Sequence, residues 1–360
     1  MLSTTLRARI RSYQERSDDP IDNADIDPRT PTGGRRTYPQ DWPAYDAAKT
    51  NEAPLFKALL QELLLLGIDD PEPQHTPGRK GFDTRTKLFA MAIKIYSRSD
   101  LRKTTSILKD LHRLHFIPRV PCYKSIDNFF NDHRLNALLD RLILITAIPF
   151  KHIEETAAID ATGFGVSKYD SWNAYKWGNV ERKRTWRKLH AVVGCTTNIF
   201  VSAEVTEKEV ADITMLQTVI GDKPRFFNFF NLVGDKAYNS RDTHNFLNSV
   251  GMVGFIAFKK NATGHAKGSL MWSTMYDYFL NYPEDFKRRY HQRSNVETCF
   301  HMLKQRFGHH LMTKNFIANQ NEIKTRVLCH NLCVLIQEAA ERGIIPKFDA
   351  CVKMIEPVQN

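Results

Sequence analysis

Cysteine is scarce and unpatterned in this chain. The six present, at positions 122, 195, 299, 329, 333 and 351, form no Cys-x2-Cys pair and no regular framework. That spacing excludes a disulfide scaffold and the common zinc modules. They read as reduced, mostly buried thiols; Cys329 and Cys333 flank His330, but without a second ligand pair they fit the core face of a helix. Long apolar runs are also missing. Residues 59–68 and 138–150 come nearest, and Glu, Gln, Asp or Arg breaks both well short of the roughly 18 residues of a membrane span. Arg7, Arg9 and Arg11 have no apolar segment behind them, so no secretory signal is read and a cytoplasmic protein is expected. No Gly-x-Ser-x-Gly elbow or phosphate-binding Walker loop occurs, and His190, Cys195 and Ser202 lack a triad context. Acidic residues are outnumbered, 40 Asp and Glu against 51 Lys and Arg, leaving a formal charge of +11. Such a surplus favours a polyanionic partner, because each cation set against a phosphate releases counterions.

What is present belongs to a folded protein, with 42% hydrophobic and 25% charged residues. Residues 1–50, rich in Asp, Pro, Thr and Arg, read as a loosely ordered basic arm in which residues 2–13 could make a short helix. Residues 51–150 read as an all-helical domain. A helix is expected near 54–66 and a linker at 71–80. Helical spacing then runs from 84 to 134, with a start signal at Ser99-Asp100 and a stop at Pro118 and Pro121. This succession is compatible with a helix-turn-helix DNA reader, with Tyr123, Lys124 and Asn128 on its recognition helix, and equally with a plain bundle.

After Phe150 the texture changes. Strands are expected at 156–160, 189–195 and 199–205, the last two joined by a turn at 196–198, and further strands at 229–234 and 252–258. Helices are expected at 209–220, 241–250, 271–282, 284–307 and 321–341. A three-stranded meander followed by alternating helix and strand describes an α/β fold, a mixed RNase H-like sheet with flanking helices, over residues 151–345. Residues 346–360 are left as a C-terminal tail.

Two aspartates stand at the ends of apolar strands, Asp160 in ETAAIDATGFG and Asp235 in FNLVGDKAYNS. A charge directly after a buried run is costly unless paired or coordinated, although either one alone fits a solvent-facing strand end. A third carboxylate changes the reading. On a straight helix at about 100° per residue, Tyr290, Arg293, Glu297 and Lys304 share one face, while Val296, Cys299, Phe300, Leu303 and Phe307 form a separate apolar stripe. Phosphodiester cleavage gives the three acids a purpose. Two divalent ions about 3.5–4 Å apart activate the nucleophile and neutralise the phosphate, and hard ions take oxygen ligands. Residues 176–190 (KWGNVERKRTWRKLH), with Arg184, Arg187 and Lys188 and interleaved Trp177 and Trp186, read as a backbone-contacting surface, and 287–289 adds a second basic run.

These residues resemble the DDE transposases of prokaryotic insertion sequences, in the group carrying a Tyr-x2-Arg-x3-Glu-x6-Lys signature. Tyr290, Arg293, Glu297 and Lys304 match that spacing without a gap, the IDATGF and GDKAYNS segments look like its two aspartate segments, and the downstream helical stretch is similar to its tail. The resemblance covers roughly residues 156–337. It implies catalysis by Asp160, Asp235 and Glu297, which would hold two Mg²⁺ or Mn²⁺ ions with Asp160 shared. It implies phosphate contacts by Tyr290, Arg293 and Lys304, double-stranded DNA as partner at transposon ends and target, a homodimer in the assembled complex, and a cytoplasmic, nucleoid-associated enzyme. The short span from Asp235 to Glu297 leaves little room for the β insertion of some members. Trp272 is a core residue or a base-stacking one. Two other readings stay open, an RNase H-like nuclease without strand transfer and a transposase-derived DNA-binding protein that has lost catalysis.

Overall fold

The structure, a computed structural model, describes residues 41–69, 81–166 and 186–356. The arm, the expected linker and residues 176–185, with Arg184 and Trp177, therefore lie outside the described residues for the most part or entirely.

The helical part begins earlier than expected. Asp41 caps α1 (Trp42–Thr50), accepting the Ala44 N–H, so the last residues assigned to the arm are helical. Then come α2 (Glu52–Gly67), α3 (Thr84–Tyr96), α4 (Leu101–Arg113), α5 (Tyr123–Phe130) and α6 (Leu135–Ala147). Asp83 and Asp100 start α3 and α4 by accepting backbone N–H groups of the first turn, as the Ser99-Asp100 signal predicts. On α5, Ile126, Phe129 and Phe130 are buried while Tyr123, Lys124 and Asn128 face solvent. That amphipathic short helix leaves the expected reader face exposed, with Arg102 over the Tyr123 ring and Lys124 paired with Asp127.

The sheet runs β1 (Thr156–Gly165), β2 (Trp186–Gly194), β3 (Phe200–Glu207), β4 (Asn231–Gly234) and β5 (Val253–Ile256). Its order is β3-β2-β1-β4-β5, with β1–β2 and β2–β3 antiparallel and β1–β4 and β4–β5 parallel. This mixed five-stranded sheet with flanking helices is the RNase H-like arrangement read from the sequence. One boundary differs. β1 does not end at Asp160 but continues to Gly165, paired with β2 throughout. Only its parallel partner stops, at Ile159 opposite Gly234.

Helices α7 (Asp212–Ile220), α8 (Arg241–Ser249), α9 (Leu270–Asn281), α10 (Pro283–Tyr290), α11 (Ser294–Phe307), α12 (Phe316–Arg342) and α13 (Phe348–Ile355) complete the described chain. The expected tail at 346–360 thus contains a helix, whose Phe348, Cys351 and Val352 are buried. α12 starts five residues before its expected start because Asn315 caps it, accepting the Ala318 N–H, and it stops at Gly343 in the left-handed region. It is buried on almost every side despite many polar residues. Each polar group therefore needs a partner. Asn331 accepts the Phe200 N–H at 3.0 Å and donates to the Phe200 carbonyl at 2.8 Å and to Thr146 Oγ1 at 3.0 Å. Lys324 meets Asp140 at 2.6 Å and Glu204 at 3.3 Å. α12 so joins the helical part to β3, and a single apolar core runs through both. Among the described residues, no helix is long and apolar enough to cross a membrane.

Candidate active site

The parallel pairing of β1 with β4 sets the site. Ile159 and Gly234 are register partners, so Asp160 and Asp235 are the next residue on two adjacent strands that run in the same direction. Close approach makes residue 234 a glycine: a Cβ there would lie 2.9 Å from Ile159 Cγ2. Each aspartate turns one oxygen back to the following backbone. Asp160 Oδ1 accepts the Ala161 N–H at 2.8 Å and Asp235 Oδ1 the Lys236 N–H at 2.7 Å, where it caps a 3-10 turn over Lys236–Tyr238.

Strand alternation puts Asp160, Thr162 and Phe164 on one face, and α11 runs along that face. The chain from Pro283 to Phe307 is not the straight helix assumed from the sequence. α10 ends at Tyr290, a 3-10 turn spans His291–Arg293, and α11 starts at Ser294. A 3-10 turn has three residues per turn, so it shifts the helical phase between Tyr290 and Glu297. The apolar stripe is buried as expected, with Val296, Cys299, Phe300, Leu303 and Phe307 all inside.

Glu297, in the first turn of α11, is reached from Asp160 through one guanidinium. Arg293 Nη2 lies 2.8 Å from Glu297 Oε1, and Nη1 lies 3.7 Å from Asp160 Oδ2. Burial pushes the Asp160 carboxyl above its ordinary range; the Ala161 N–H and Arg293 oppose this, and the charges of Asp235 and Glu297 add to it. The three acids therefore feel one another. Asp160 and Glu297 meet at Arg293 and not at one empty centre. Among the described residues, no group of three or more His, Cys, Asp or Glu side chains is gathered closely enough to hold a metal ion.

Further along α11, Lys304 donates to Thr162 Oγ1 at 2.6 Å and lies 5.2 Å from the Phe164 ring centre, with burial lowering its pKa. The cations of β2 have internal partners. Arg187 pairs with Glu207 and donates to Asn319 Oδ1 at 3.1 Å, and Lys188 pairs with Asp212 at 3.0 Å. Lys124, exposed on α5, pairs with Asp127 at 2.8 Å. In the basic run at 287–289, Arg288 and Arg289 both bind Asp285. Trp272 is a core residue, its indole N–H donating to the Thr263 carbonyl.

Two neighbours escaped the sequence reading. Thr162, the partner of Lys304, was missed because β1 was expected to end at Asp160. Tyr238 is fully buried, with no hydrogen-bond partner for its hydroxyl among the described residues, and Asp212, Asp160 and Asp235 all act on it; nothing in the sequence marks it. The buried Cys329, His330 and Cys333 form no metal site: Cys329 donates to the Ala92 carbonyl and His330 Nε2 lies 2.9 Å from the Asn198 carbonyl.

No solved structure matches the chain. The family model of the transposase DDE domain matches residues 151–332, from the last turn before β1 into α12. That span holds Asp160, Asp235, Glu297 and the whole sheet that positions them, and on this match the chain belongs to the DDE transposase family.

Proposed function

We propose that the chain is the transposase of an insertion sequence in the Tyr-x2-Arg-x3-Glu-x6-Lys group, cutting DNA at transposon ends and joining the freed ends to target DNA. The observation that carries this reading is the common guanidinium. Asp160 and Asp235 leave adjacent parallel strands in register, and Arg293 ties Glu297 to Asp160. A cation already stands among these carboxylates, and their all-oxygen donor set fits Mg²⁺ or Mn²⁺. Asp160 would be shared between two ions, with Asp235 and Glu297 serving one each. Bound there, the ions neutralise the phosphate and make the attacking hydroxyl more acidic.

The remaining steps belong to the protein. Arg293, freed from Glu297, and Tyr290 hold a flanking phosphate. Lys304 contacts the next one from its seat on Thr162. Lys124, Arg184, Arg187 and Lys188 extend the contacts to the DNA backbone, and the exposed face of α5 offers Tyr123 and Asn128 for base edges. Two ends are bridged by a homodimer, in the cytoplasm, on the nucleoid.

The test uses the purified protein, Mg²⁺ and DNA carrying the sequences that flank its reading frame. Cleavage followed by joining is expected. Asp160→Asn, Asp235→Asn and Glu297→Gln should each abolish cleavage while DNA binding persists; wild-type-like cutting by any one removes that residue from the site. Cleavage without joining would instead favour a nuclease, and binding without cleavage by the wild type a transposase that has lost its chemistry.

A further inference from the structure

A cavity of about 750 Å³ lies between the helical part and the end of α11, within the size range of small-ligand sites. Its walls come from the turn between α3 and α4, from α5, and from the loop 308–313 that leaves α11. That loop is firmly built. Buried Glu322 accepts the N–H groups of Met312 and Thr313 at 2.9 to 3.1 Å. Buried Arg326 donates to the carbonyls of Gly308 at 2.8 Å and His310 at 2.7 Å, and the Leu311 N–H donates to the Gly165 carbonyl at the end of β1 at 2.8 Å. Arg326 also keeps a buried Nε–H that has no partner among the described residues.

Lys94 is the anomaly in this cavity. It is 9% exposed, lines the wall, and has no ion pair among the described residues; its ammonium only faces the Phe130 ring, 5.5 Å from the centre. A buried, unpaired ammonium is costly, and burial outweighs the favourable field of Glu322, Asp127 and Asp100. Those three acids are committed elsewhere: Glu322 to the loop, Asp127 to Lys124, and Asp100 to the first N–H groups of α4. Arg98, also at the wall and in the left-handed region at φ 49°, has no ion pair among the described residues either. Phe130, already under the Lys94 ammonium, and Phe307 are buried, whereas His309, His310 and Met312 line the same cavity with exposed side chains. Cations that suit an anionic group, next to side chains that can take a flat ring, describe a nucleotide.

We propose that this cavity takes one nucleotide unit of a DNA strand, its phosphate held by Lys94 and Arg98 and its base against His309, His310 and Met312 of the loop. Phe307, at the wall of the cavity, stands about 15 Å along α11 from Glu297. Only the source of the nucleotide rests on the transposase reading; the cavity and its cations do not.

The test uses the full chain, a thymidine hexanucleotide carrying 5-iododeoxyuridine, and free dAMP. Irradiation should cross-link the hexanucleotide to the wall at 309–313. Lys94→Met and Arg98→Gln should each lower that yield, at subsaturating DNA, about tenfold, the loss of one charge-assisted contact. Lys94→Met should also melt at a higher temperature, since it removes a buried charge. Competition by dAMP shows that the site accepts free nucleoside phosphates as well, and no competition assigns it to nucleotides within a strand. Cross-links elsewhere, or unchanged yields in both variants, would overturn the proposal. A lower melting temperature for Lys94→Met with unchanged yield would make Lys94 a structural residue and overturn it too. Asp160→Asn keeps the two readings apart: its cross-link should persist, whereas its cleavage bears only on the catalytic assignment.

Discussion

Replacing Arg293 by alanine should make the acidic site less stable without divalent ions and more responsive to them. The Arg293–Glu297 contact at 2.8 Å involves a carboxylate side chain that is 57% exposed, so it counts as a surface helix pair of about 0.3–0.5 kcal/mol. The contact with Asp160 is longer, 3.7 Å, but that side chain is only 22% exposed. Weak screening there makes it the larger part, about 1–2 kcal/mol after the desolvation of both groups. Removing the guanidinium therefore costs roughly 2 kcal/mol, about 2–6 °C in melting temperature for a chain of this size. Calorimetry in EDTA measures that loss, and a Mn²⁺ titration measures the response. In Arg293→Ala the ion meets three acids with no competing cation, so Mn²⁺ should raise its melting temperature more than that of the wild type and at lower concentration. Adding Asp160→Asn should cancel the gain. An EDTA melt equal to wild type, or an identical Mn²⁺ response, would refute the view that Arg293 stands in for a metal ion.

Three other outcomes follow from single side chains. Lys304→Ala should weaken binding to a transposon end and reduce the slope of log K against log salt by about one; an unchanged slope would mean that Lys304 serves only Thr162 and Phe164. Asn331→Ala strips the partners from the Phe200 N–H and carbonyl and from Thr146, and should cost about 3 kcal/mol in denaturant unfolding; a loss below about 1 kcal/mol would show that α12 is not pinned there. Burial raises the Glu338 carboxyl to about 7, with Arg342 opposing the shift. A carboxyl raised on folding contributes stability below its unfolded pKa that is lost as pH rises through the folded value, so the protein should lose stability between about pH 4.5 and 7, and Glu338→Gln should flatten that part of the profile.

Periodicity was a sound guide where an element has one wet and one dry face. The β2–β3 hairpin, α11's apolar stripe and the strand that presents Asp235 were all legible for that reason. It failed where both faces have the same character. The second half of β1 (Ala161, Thr162, Gly163) reads as loop because small polar residues carry no alternation, yet nine register pairs with β2 hold β1 extended to Gly165. α12 reads as a shorter helix because its buried sides carry Asn, Lys, Glu and Arg, whose partners lie on distant segments. The break at His291–Arg293 has no proline or glycine to announce it; packing sets it, and it changes which side chains meet. Lys94 was hidden by its neighbours, since AMAIKIY reads as core and only the fold reveals that one of its residues is an unpaired ammonium.

The two halves of the molecule cannot be considered as a reader loosely attached to a catalytic unit. Arg306, on the same helix as Glu297, pairs with Glu52 of α2, which also accepts from the Tyr96 hydroxyl of α3 at 3.0 Å. Lys324 and Asn331 of α12 bind α6 on one side and β3 on the other. A displacement of the helical part by even one hydrogen-bond length would thus break buried polar contacts in both directions, each at a cost of about 1–3 kcal/mol. The exposed face of α5, the cavity beside Lys94 and the carboxylates at the end of β4 are consequently held at fixed separations. If the proposed function holds, DNA that engages α5 would meet the acidic site at one register only, so the choice of the scissile phosphate would be set by the rigid span between them and not by a hinge.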